Sequence, residues 1–348
     1  MPIVRTLPEV QGLEGEPIGL YVSGSGGAVS WTYRPDGDVD PGTSCVFSDS
    51  ASRNPTITCN DSGTFIATVV LDDGVSTPVT AQTKVIVRND PPQVSFTTPT
   101  PWQLFRVGEP VVFDAPITDS GSNDVHRCQY GWDDGEAWDE QFDANGRNCG
   151  VTHTYEHAGM YTVDLVVTDD DLAQGSTSVM IVVYDPNEGP ASIAGSTATP
   201  TGALATDPNA SGETSVHYAA QYPMGGRVPV TEVNGQTLAW VDGTSFRLQL
   251  EAMEWFVITE DGKVAGRGTS TVDGKVGYTW VLYGWDYCDG SNSPGCQNIP
   301  SDKIRLVVFE SATGKVVYDH SPGSNEFDVD RISPTVMNSG AVRVRRSP

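Results

Sequence analysis

The stretch HTYEHAGMYTVDLVVTDDD runs from His153 to Asp171 and admits two readings. As chemistry, His153, Glu156 and His157 spell H-x-x-E-H, which grips zinc when a helix sets both histidines on one face. As architecture, Tyr161, Val163, Leu165 and Val167 alternate with Thr162, Asp164, Val166 and Thr168, the period of a strand. A strand does not bring the two histidines together. The segment therefore predicts a turn at Gly159, a strand, and a closing turn of three aspartates. Tyr161 is expected to pack at a sandwich corner with its hydroxyl on backbone.

Working outward, the chain repeats this stretch. NDSGTFIATVVLDDG (Asn60–Gly74) lies over EHAGMYTVDLVVTDDD (Glu156–Asp171), with Gly63 on Gly159 and Phe65 on Tyr161. Upstream, AVSWTY around Trp31 lies over RCQYGWDDG around Trp132, and LEGEPIGLYVSGS lies over RVGEPVVFDAPIT. Turn dipeptides recur at Asp36-Gly37, Asp73-Gly74, Asp134-Gly135, Asp242-Gly243, Asp261-Gly262 and Asp273-Gly274. Alternation broken by regular turns reads as all-β sandwiches. Proline-rich joints, Asn89-Asp90-Pro91-Pro92 and the segment around Asp185-Pro186, cannot continue a ladder. They divide the chain into modules at 1–90, 91–187 and 188–348.

The 348 residues suffice for two or three domains. The net charge is −25, and residues 91–187 supply more than half of it, with 3 basic against 16 acidic side chains. Phosphate backbones and anionic membranes need clustered Lys and Arg, so neither is an expected partner. No run of 18 apolar residues occurs, and no membrane span is expected. Cys45/Cys59, Cys128/Cys149 and Cys288/Cys296 fall as local pairs, one per module, without C-x-x-C spacing. Three disulfides and an oxidising compartment follow as expectations. The N-terminus MPIVRTLPEV lacks a charged and then apolar leader. A removed signal, a longer parent chain or a virion protein would each reconcile that with the cysteines.

At these residues a family resemblance shows. The second module carries YGWDDG, HTY and GMYTVDLVVTDDD in the order of polycystic kidney disease (PKD) domains. It departs by a shortened Trp-Asp segment and by Leu172 where glycine is usual. The first module resembles the same Ig-like plan, with SWTYRPDG in place of the acidic motif and Cys59 in place of the H-T-Y tyrosine. The third is similar to a C-terminal β module found behind such repeats in secreted bacterial proteins, and is expected to be sandwich-like. The resemblance implies calcium between the loop before the tryptophan strand and the turn closing the last hairpin. Those positions are Asn123 and Asp124, and Asp169 and Asp171, with Asn89 reaching the same end.

No nucleophile motif accompanies the histidines, and no G-x-S-x-G or phosphate-cradling loop occurs. Trp31, Trp132, Trp255 and Trp280 read as core. Trp102, Trp138 and Trp285 read as loop aromatics that can stack on a ligand. The expected protein is a non-catalytic extracellular set of adhesion, binding and spacer modules. A surface protein, a polysaccharide or further copies of the chain are its expected partners. A virion surface or tail protein, and the accessory region of a secreted hydrolase, are the alternatives.

Overall fold

The structure, a computed structural model, describes residues 3–24, 26–135, 140–144, 146–223, 237–287 and 302–345. Among these every regular element is a strand. The first module holds β1 (Val4–Thr6), β2 (Glu9–Leu13), β3 (Ile18–Gly19), β4 (Val22–Gly24), β5 (Ala28–Pro35), β6 (Cys45–Phe47), β7 (Thr56–Cys59), β8 (Gly63–Asp72) and β9 (Val79–Arg88). The second holds β10 (Gln93–Val94), β11 (Leu104–Arg106), β12 (Pro110–Phe113), β13 (Ile117–Thr118), β14 (His126–Gly131), β15 (Glu140–Asp143), β16 (Val151–Thr154), β17 (Gly159–Asp169) and β18 (Gln174–Tyr184). The third holds β19 (Ala191–Ala198), β20 (Glu213–Ala220), β21 (Thr237–Val241), β22 (Arg247–Ile258), β23 (Lys263–Val272), β24 (Lys275–Trp285), β25 (Lys303–Glu310), β26 (Val316–Asp319) and β27 (Thr335–Val344).

The first two modules share one strand order. The larger sheets run β2-β9-β8-β5 and β11-β18-β17-β14-β15, and in each the first strand pairs parallel to the last. Just beyond those first strands, Glu14 N–H donates to Arg88 O and Val107 N–H to Tyr184 O, each at 3.0 Å. Register corrects one match made from sequence. Trp31 faces Val69, six residues past Gly63, and Tyr130 faces Leu165, six past Gly159. Tyr130, not Trp132, is therefore the counterpart of Trp31. The slip is two residues, and a two-residue slip keeps the same face of a strand. Both tryptophans are accordingly buried, and Trp132 stacks on Tyr130 at 4.4 Å.

The third module departs from the expected sandwich. β24-β23-β22-β21-β20-β19-β27-β25 closes through a β24–β25 pair into an eight-stranded barrel, with β26 added outside β25. Closure removes the exposed edges of an open sheet. β22 and β23 carry register shifts at Leu250/Ala252, Met253/Trp255 and Ser270/Val272, the irregularities that let long strands bend around a barrel. β24 is buried continuously from Thr279 to Trp285.

By compactness the chain divides into two units. One comprises Met1–Pro99, Val112–Val151 and Val163–Val179; the other comprises Thr100–Val111, Thr152–Thr162 and Met180–Pro348.

Candidate cation site

The H-x-x-E-H stretch does not assemble on a helix. His153 is on β16 with its ring edge against Tyr155, while Glu156 and His157 follow the strand, exposed. Tyr161 donates its hydroxyl to His157 O at 2.8 Å, the corner bond expected of it. The stretch's chemistry lies at its other end, among the aspartates.

That end belongs wholly to the first compact unit, where residues of both tandem modules converge. β17 delivers Asp169, Asp170 and Asp171 at its C-terminus. The loop entering β14 delivers Asp119, Asn123 and Asp124, and the first module delivers Glu14 after β2 and Asp61 before β8. Ligand atoms of Glu14, Asp61 and Asp124 all lie within 4.8 Å of one another, as do those of Asp119, Asp124 and His126. Glu14 is fully buried and Asp124 nearly so, at 9% exposure. Glu14 Oε2, both carboxylate oxygens of Asp124 and Asn89 Oδ1 are buried without a hydrogen-bond partner. A buried oxygen left unpaired is costly, and most native ones are satisfied.

The surrounding bonds orient these groups rather than neutralise them. Asp90 N–H donates to Glu14 Oε1 at 2.8 Å, and Asn89 Nδ2 donates to Asp169 Oδ2 at 3.0 Å. Asn123 turns its amide to the first module, donating to Asp61 Oδ2 at 2.7 Å and to Pro41 O at 3.3 Å. The backbone N–H of Val125 holds Asp170 Oδ1 at 3.0 Å. His126 Nε2 lies 2.7 Å from Asp119 Oδ2 and serves that carboxylate. Arg147 spends its guanidinium on the carbonyls of Asp119 and Gly121, fixing the loop. Among the described residues no lysine or arginine forms an ion pair with Glu14, Asp61 or Asp124. Two glycines permit the approach. A Cβ at Gly121 would sit 2.4 Å from the Asp124 carboxylate, and one at Gly15, whose φ is 68°, would sit 2.4 Å from Ser120 O.

Electrostatics follow from this crowding. Burial first, then the charges of Asp119, Asp61 and Asp171, push Glu14 up to about 7 against a backbone bond that lowers it. Burial first, then Glu14, Asp119, Asp61 and Asp170, push Asp124 up to about 8. Asp169 is also raised, chiefly by burial. Two unit charges at the separations seen here repel by on the order of 3 kcal/mol at the effective dielectric of protein sites. The crowding favours protons or a cation in the cluster. Its donors are carboxylate and amide oxygens, which suit a hard divalent ion taking six to eight oxygens better than zinc.

Of the expected metal residues, Asp124 is central and Asp169 and Asn89 stand beside it as a bonded pair. Asn123 meets the first module, and Asp171 is exposed and acts on Glu14 through its charge. Sequence reasoning missed Glu14, Asp61 and Asp119. The first two had a signal in the repeat: Glu14 stands where the second module has Val107, and Asp61 where it has His157.

The other candidates fall as follows. Disulfides join Cys45 to Cys59 and Cys128 to Cys149; Cys288 and Cys296 lie outside the described residues. Trp138 lies outside them too. Trp285 is not a loop residue: it ends β24 and is buried. Trp102 is half-buried, stacked on Trp255 at 6.0 Å with the Arg267 guanidinium 5.0 Å from its ring centre.

Residues 89–183 match the family model of the PKD domain. The second module is thus a PKD domain, preceded by an Ig-like module of the same strand order. No curated protein matches the chain. Similar solved structures include the fibronectin(III)-like modules of CbhA from Clostridium thermocellum, 16% identical over 53% of this chain and 95% of that one, with a TM-score of 0.24. The titin Ig tandem domains A164-A165 are 15% identical over 53% and 97%, with a TM-score of 0.24. Rst D1-D2 is 11% identical over 52% and 99%, with a TM-score of 0.28. Scores this low leave the fold resting on strand order and register.

Proposed function

We propose that this chain is a non-catalytic extracellular spacer and binding protein whose PKD domain holds a calcium ion. The observation that carries the calcium reading is Asp124, a buried carboxylate with neither oxygen hydrogen-bonded. A cation supplies the missing partner and offsets the repulsion among Asp124, Asp119 and their neighbours. Asp124, Asp119 and Asn89 are the ligands of the PKD domain in this reading, with Asp169 held beside them by Asn89. Disulfides and Ig-like modules are typical of extracellular proteins, which supports an oxidising, calcium-rich setting. The histidines of the H-x-x-E-H stretch have architectural surroundings, which supports a role without turnover. The partner in this reading is a surface protein or a polysaccharide.

Melting of the full chain in calcium and in chelator tests it. At a hundredfold excess over its dissociation constant a ligand stabilises by about 2.7 kcal/mol. For a body of this size that is a rise of roughly 5–10 °C. Asp124→Ala removes the rise. A melting temperature indifferent to calcium sinks the cation, and hydrolysis of a peptide or glycan lost on His153→Ala sinks the non-catalytic role.

A further inference from the structure

We propose that the calcium site is shared: Glu14 and Asp61 of the first module are ligands together with Asp124 of the second, so that the ion clamps the tandem pair into one body. This rests on the calcium reading above and adds a partner to the site, the neighbouring module itself.

Three observations carry it. Oxygens of Glu14, Asp61 and Asp124 share one 4.8 Å neighbourhood, although 110 residues separate the first from the last. Glu14 has no exposed surface and keeps Oε2 unpartnered, so its free oxygen is enclosed at the junction. The positions are also special to this end of the first module. The repeat places Val107 and the exposed His157 at the same two points, so the shared strand plan does not itself call for acids there.

The joint is already built for close approach. Asn123 N–H donates to Asn60 O at 3.0 Å and its side chain reaches Asp61, while Ser120 Oγ holds the connecting segment through Asp90 Oδ2 at 2.7 Å. Those bonds bring the modules together while the carboxylates push them apart. A divalent cation reverses the sign of that second contribution. Calcium concentration would then set how stiffly the tandem is held. Calcium fits better than magnesium, because magnesium needs near-ideal octahedral geometry and gives up its waters reluctantly.

The test is calorimetric titration of the full chain with calcium chloride, comparing wild type with Glu14→Gln, Asp61→Asn and, as control, Asp73→Asn. Glu14→Gln keeps the shape and removes a charge. Its melting temperature in chelator at pH 8 is expected at or above wild type, which separates lost binding from lost folding. Calcium affinity is expected to fall at least tenfold in Glu14→Gln and in Asp61→Asn, and to stay unchanged in Asp73→Asn. Small-angle scattering adds a structural readout, with calcium narrowing the spread of dimensions in wild type and not in Glu14→Gln. Wild-type affinity in both first-module variants overturns the shared site and leaves the PKD calcium reading standing. No calcium uptake by the wild type overturns both.

Discussion

Strand β8 of the first module ends at Asp72 and is followed by Asp73. Strand β17 of the second ends at Asp169 and is followed by Asp170 and Asp171. The sequence is nearly the same and the surroundings are opposite. Asp72 and Asp73 accept bonds from their own turn, from Gly74 N–H at 2.8 Å and from Val75 and Ser76 N–H at 3.0 and 2.7 Å. Those backbone bonds hold Asp73 below the ordinary carboxylate range. Asp169 is buried at the joint with the preceding module and is raised. An acidic turn becomes a candidate site through what packs against it, not through its own residues.

The largest effects are expected in the cores of the two modules. If Trp31 and Tyr130 are true counterparts, Trp31→Ala and Tyr130→Ala should each cost about 3–5 kcal/mol in denaturant unfolding. Both are buried and each meets the long strand at the same register. A cost below 1 kcal/mol at Tyr130 would return the counterpart role to Trp132.

The disulfides come next in size. Cys45–Cys59 closes a separation of 14 residues and Cys128–Cys149 one of 21. Replacing either pair with alanine should lower stability by about 2–4 kcal/mol, with the longer loop losing slightly more. Peptide mapping without reductant tests the pairing directly. Free thiols at any of these four positions would remove the oxidising-compartment reading.

The acidity of the joint gives a smaller, pH-dependent effect. Glu14 and Asp124 have folded values of about 7 and 8, above their ordinary 4.5 and 3.8. The folded state thus holds protons that the unfolded chain releases earlier. Stability from the protonated groups is full below about pH 4 and is lost as pH rises through 7 to 8. In chelator, Glu14→Gln should gain on wild type as pH rises from 5 to 9. Saturating calcium should abolish that gain. A flat difference across the range would show that burial and the neighbouring charges do not raise Glu14.

What the sequence made legible follows from which forces are local. Alternation along Tyr161–Thr168, the Asp-Gly turns and the repeat of Asn60–Gly74 announced the strands, because side-chain period and turn chemistry are written in adjacent residues. Barrel closure was hidden, because it depends on β19 meeting β27 across most of the module, and alternation looks the same in an open and a closed sheet. Half of the candidate site was legible for the same reason. Asp124 and Asp169 belong to one domain motif, whereas Glu14 and Asp61 join them only through the packing of two modules. Trp285 was misplaced because a polar neighbourhood, Tyr-Gly-Trp-Asp-Tyr-Cys-Asp, resembles a loop while the strand runs through its first half.

The smallest expected effect separates the two acidic turns. Asp72→Asn with Asp73→Asn alters two carboxylates that accept bonds from their own turn, and an asparagine oxygen can accept the same backbone N–H bonds. Stability should change by about 0.5 kcal/mol or less, and calcium affinity not at all. The matching pair at the joint, Asp169→Asn with Asp170→Asn, removes two charges beside Asp124. It also weakens the bonds that Asn89, Ala173 and Val125 donate. Calcium affinity should fall there by at least tenfold, measured by the same titration. Equal losses from both pairs would mean that an acidic turn binds wherever it occurs, and the enclosure at the joint would have no special part in the site.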